Sequence, residues 1–152
     1  MRPALASPAK RPLSIARESI VSAVVNGVIS VGFFILVFGW PQRIAVRGLG
    51  NYAFDFLPQS FAIGLMASLV PGLLARKSLD ARRQAGAIAG RSLLNGLVAL
   101  VIGGGALMAA FWSSGPDTIP VPVALALKVL YGAALGAVVT RAMLLRLSAK
   151  NL

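Results

Sequence analysis

The chain of 152 residues is 57% hydrophobic and only 12% charged, and its mean hydropathy of +0.81 lies outside the usual balance of soluble domains. Its 15 Lys and Arg against four Asp and Glu give a net charge of +11; nucleic acid would be the expected partner of a soluble protein with that charge, but here the basic residues sit between apolar runs, so none is expected. The absence of Cys and His excludes disulfides, thiol chemistry and the usual zinc, copper and haem ligands, and no cofactor is expected.

Residues 1–18 hold three prolines with Arg2, Lys10, Arg11 and Arg17, a composition that predicts a flexible basic cytoplasmic tail. Three uncharged runs follow, of 24 residues (Ser19 to Gln42), 20 (Phe56 to Ala75) and 25 (Ser92 to Pro116), with a fourth from Thr118 to Thr140 broken only by Lys128. Each is long enough to cross a hydrocarbon core of about 30 Å as a helix. The fold class expected is therefore all-α, a polytopic membrane protein with spans at 19–40, 57–75, 90–112 and 120–141. The first run lacks a small-x-small cleavage site at its far end and is read as a retained signal anchor. Pro41 stops it, and Trp40 and, later, Trp112 suit an interfacial aromatic belt at the outer face.

The segment Pro41 to Phe56 mixes Arg43 and Arg47 with apolar residues and is expected to lie along the membrane surface. Asp55-Phe56-Leu57-Pro58 and Asp117-Thr118-Ile119-Pro120 read as helix starts, with Asp as cap and Pro in the first turn. Pro71 predicts a kink. Residues 78–91 form a basic cytoplasmic connection, and 146–152 a short cytoplasmic tail. Twelve basic residues fall on the side of the termini and the central connection, against Arg43 and Arg47 on the other. This is the positive-inside pattern and predicts that both termini are cytoplasmic, in a cell (inner or plasma) membrane.

Val24-Val25-Asn26-Gly27-Val28-Ile29-Ser30 returns 69 residues later as Leu93-Leu94-Asn95-Gly96-Leu97-Val98-Ala99. With the two tryptophans and the two Asp-x-aliphatic-Pro starts, this predicts two tandem parallel helical hairpins, residues 19–77 and 92–145, a topology distinct from inverted repeats. Small residues mark helix contacts in lipid. They form stripes at Ser60, Gly64, Ser68 and Gly72, at Ala124, Lys128, Gly132, Gly136 and Thr140, at Ser22, Asn26 and Ser30, and at Arg91, Asn95, Ala99 and Gly103. The two Asn side chains are expected at equal depth near the bundle axis, as packing contacts or as the lining of a polar path.

Lys128 is the one charge well inside an apolar span, where a charge is a functional candidate. Two readings follow. It is an anion or ligand site facing Gly103, Gly104 and Gly105, or it snorkels to the outer interface towards Asp117 or Asp55. On the second reading Lys128→Met leaves stability equal or higher, because a charge has left the hydrocarbon. No carboxylate pair lies within a span and no Ser has a His to activate it, so an enzyme is not expected. The preferred function is an accessory, scaffolding or lipid-interacting membrane protein, with anionic head groups, a second copy or another membrane protein as partner. The alternative is a compact transporter or channel for an anion or small polar solute, using Lys128 and the Asn26/Asn95 pair.

Overall fold

A computed structural model describes residues 14–78 and 85–149. Most of the expected basic tail, half of the basic connection and Lys150 lie outside the described residues. Four helices are long and apolar enough to cross a membrane: α1 (Ile15–Phe38), α2 (Phe56–Ser78), α3 (Ala85–Ser114) and α4 (Val121–Ala149). Ser14 caps α1 by accepting from the Arg17 N–H at 3.4 Å. Gly39 ends it with φ of 67°, a left-handed conformation that suits glycine. α2 continues through Pro71. α4 passes the boundary drawn at 145 and runs to Ala149, because Met143, Leu144 and Leu147 pack with Ile88 at the start of α3.

Burial is reversed from that of a soluble bundle. On α1 the buried positions are Ser19, Ser22, Asn26, Gly27, Ser30 and Phe34, whereas Ile20, Val24, Val28 and Leu36 are exposed. With lipid outside, aliphatic side chains gain nothing by turning inward, and small residues that let backbones approach take the contacts. α1 packs on α4 running the opposite way, Ser22 meeting Gly136 and Thr140 while Ser30 lies near Gln59. α2 packs on α3, also antiparallel, and beside α4 in the same direction, as Ser60 meeting Tyr131 and Ala67 meeting Thr140 show. The contact between α1 and α2 is slight.

The segment between α1 and α2 packs onto the bundle. Ile44, Val46, Tyr52 and Ala53 are at most 5% exposed, and Arg43–Ala45 (β1) pairs antiparallel with Thr118–Pro120 (β2), Ile44 facing Ile119. The helices are therefore joined at this end by a two-stranded ladder that an all-α expectation lacks. α4 accordingly starts at Val121, one residue after the expected boundary at 120, and Thr118 to Pro120 of the expected helix start is strand instead. The ladder is too short to announce itself, since three residues carry no legible alternation.

α3 contains a π-helical turn at Ala99–Gly104. Such a turn holds an extra residue, so the buried positions run Ile88, Ser92, Gly96, Ala99 and then, five residues on, Gly104. A side chain at Gly104 would meet the Phe56 carbonyl oxygen at 2.7 Å, which only glycine avoids.

Candidate functional site

The interior of the bundle holds a string of polar side chains along the seam of α1, α2 and α4. At the end near the two-stranded ladder Lys128, 1% exposed, extends its Nζ to 2.7 Å from Asp55 Oδ2. The ammonium also sits 3.9 Å from the Phe56 ring centroid and 5.2 Å from that of Tyr52, within the range of a cation–π contact. Asp55 lies one residue before α2 and Lys128 two turns into α4, so the pair needs both helix starts packed side by side. Tyr52 donates to the Ala124 carbonyl at 3.0 Å. Its burial and, second, the neighbouring Asp55 carboxylate push its phenol above the ordinary value, so it stays a donor.

One turn deeper, Gln59 Nε2 donates to Ser30 Oγ at 3.0 Å and reaches the Lys128 carbonyl at 3.4 Å. Its Oε1 is buried without a partner among the described residues. Ser30 donates to the Asn26 carbonyl at 2.8 Å, and Asn26 Nδ2 donates to the Ser22 carbonyl at 2.8 Å. Ser22 Oγ lies 3.1 Å from the Gly136 carbonyl, and the Thr140 hydroxyl lies 2.7 Å from both Ser22 Oγ and the Ala67 carbonyl. Nearly every polar group in the string is thus held by another, as buried polar groups require.

The Asp-x-aliphatic-Pro carboxylates do not act as helix caps. Asp55 accepts from Lys128, and Asp117 accepts from Arg47. Arg47 also donates to the Trp112 carbonyl at 2.9 Å and the Gly115 carbonyl at 2.8 Å, while Arg43 Nε donates to Thr118 Oγ1 at 2.8 Å. Both arginines therefore tie the connection between α1 and α2 to the one between α3 and α4. Trp40 and Trp112 are exposed, at 66% and 44%.

Lys128 and the glycine run are not gathered into one site. A side chain at Gly103 would meet the Tyr131 hydroxyl at 2.5 Å, Gly104 presses on the start of α2, and Gly105 is nearly open. Nor are the two Asn side chains paired. Asn26 is 6% exposed and bonded within the string, but Asn95 is half-buried in a crevice between α3 and α4. The inward position on α3 is Gly96, where a side chain would meet the Phe61 ring at 3.2 Å. Ser60, Gly64, Ser68 and Gly72 on α2, and Ala124, Lys128, Gly132, Gly136 and Thr140 on α4, are all buried. Among the described residues no three His, Cys, Asp or Glu gather as a metal site would require.

Gln59, Tyr52 and Tyr131 join the site unannounced by the sequence reading. A signal for Gln59 exists: it stands one helical turn after Asp55 on the same face, an amide inside an apolar run. Comparison with protein-family models, with curated proteins and with solved structures finds no match.

Proposed function

We propose that the protein is a non-enzymatic integral membrane protein whose work is binding in the plane of the membrane, with lipids or another membrane protein as partner. The observation that carries this reading is the ion pair of Lys128 with Asp55 inside the bundle: the one charge within a span is occupied by its own chain, while crevices open between helices on the lipid-facing side. The chain crosses as two tandem pairs of antiparallel helices, with both termini in the cytoplasm. Ile15 at the start of α1 packing against the cluster that Met143, Leu144 and Leu147 near the end of α4 form with Ile88 supports a common side for the two ends, and the twelve basic residues against two argue that this side is the cytoplasm.

Two measurements test this. The chain has no cysteine, so single Leu49→Cys and Gly86→Cys variants report each side cleanly. An impermeant maleimide should label Leu49→Cys in intact cells and Gly86→Cys only after lysis; labelling of both in intact cells would sink the topology. In proteoliposomes, the flux of chloride or phosphate should not exceed that of empty vesicles. The polar string favours one competing reading, a solute path, and a flux abolished by Lys128→Met would establish it in place of the binding role.

A further inference from the structure

Between α3 and α4 a crevice of about 400 Å³ opens at the inner end, lined by Ile88, Arg91, Met143 and Arg146. A second, of about 300 Å³, begins at the same Arg146 and continues past Asn95, Val138 and Ala99 to Gly103 and Leu135. The two share Arg146 and make one groove. Its α3 wall is the stripe Arg91, Asn95, Ala99 and Gly103, spaced by four residues on one helix face. Arg91, Asn95 and Gly103 open into the groove and Ala99 stands between it and α2, while Gly96 and, beyond the π turn, Gly104 take the closest contacts with α2.

We infer that this groove is a binding site for one anionic phospholipid of the inner leaflet, an assignment that rests on the membrane-binding reading above and on its topology. Three observations argue for that occupant. Arg91 and Arg146 both line the crevice at the inner end and, among the described residues, no other charged residue lines the groove, and a guanidinium matches phosphate oxygens in geometry and charge. Asn95, one turn above Arg91, places an amide at the depth where the glycerol esters of such a lipid begin. Above it the lining is aliphatic, and from Arg146 to Leu135 the α4 wall rises about 16 Å at 1.5 Å per residue, close to half of a hydrocarbon core of about 30 Å. A groove one leaflet deep, cationic at its foot and apolar above, fits a head group and an acyl chain, and a free phosphate ion would use only its foot.

The test is native mass spectrometry of the full chain in a neutral detergent, titrated with phosphatidylglycerol and, separately, phosphatidylcholine of the same acyl chains. The wild type should bind one phosphatidylglycerol with a clear preference over phosphatidylcholine. Arg91→Gln with Arg146→Gln should lower that preference by at least about tenfold, two basic contacts near a membrane surface each contributing on the order of a factor of five. Arg141→Gln, on the same helix but outside the groove, should leave it unchanged. Val138→Trp, which fills the apolar part, should weaken both lipids alike. A loss of about fivefold in Arg141→Gln, the share of any one basic residue, would mean diffuse attraction by net charge and would overturn the site, as would a double variant that keeps the preference or a Val138→Trp variant that binds both lipids as before. Each of these results leaves the flux and labelling outcomes untouched, so failure of the groove is distinguishable from failure of the binding role.

Discussion

Lys128 reverses sign once its neighbour is known. A lone ammonium in hydrocarbon costs on the order of 2.5 kcal/mol or more, and on that basis Lys128→Met would be neutral or stabilising. With Asp55 at 2.7 Å and its side chain 11% exposed, the same change strands a carboxylate. The expected outcome for Lys128→Met is a loss of about 3–5 kcal/mol, whereas Asp55→Asn combined with Lys128→Met recovers most of it, because breaking a buried pair costs far more than removing both partners. Thermal unfolding of the parent, Lys128→Met, Asp55→Asn and the double variant in one detergent measures this, and a Lys128→Met variant as stable as the parent would refute the pair's structural role. Asp55 was legible as the end of a loop and as one possible partner of Lys128. What chose it over Asp117 is that Asp117 is already engaged by Arg47.

At the scale of elements, the helices and their small-residue stripes were legible, because the residues that let backbones approach recur every four positions. Gly64 illustrates how little room remains: a side chain there would lie 2.6 Å from Ala99 Cβ and 2.9 Å from the Asn95 carbonyl oxygen. Gly64→Val should therefore lower stability by about 1–3 kcal/mol through overpacking. Gly90, with nothing within 4 Å, should accept Ala with no loss and a gain of up to about 1 kcal/mol in helix propensity. The midpoint of thermal unfolding for each variant checks both, and an unchanged Gly64→Val would place α2 and α3 farther apart than described. The rotation of α3 was not legible. A 69-residue echo matches Asn95 to Asn26 by letter, but the face presented to α2 is set by which position tolerates Phe61, and that position is Gly96.

For the whole molecule, the two halves of the chain hold each other more than each holds itself. α1 lies chiefly on α4, β1 pairs with β2, Lys128 bonds Asp55, and Arg43 and Arg47 reach across to the second loop. Residues 1–78 and 79–152 expressed separately should each be degraded, and when co-expressed they should accumulate and co-purify at one to one. Stable accumulation of 1–78 alone would show that α1 and α2 suffice for each other, which their slight contact argues against.

The sequence by itself determined that there are four apolar helices, roughly where each begins and ends, and which side of α1, α2 and α4 carries the small residues. Those properties are local: run length against bilayer thickness, proline and glycine at ends, and four-residue spacing. Only the tertiary structure decided what Lys128 binds, that the connections between α1 and α2 and between α3 and α4 form a ladder, and that Asn95 leaves the axis for a groove beside Arg91 and Arg146. Each of those depends on residues distant in the chain meeting at one depth, and the π turn that re-aims α3 lies where α3 packs closely on α2, a contact that no pattern along a single helix encodes.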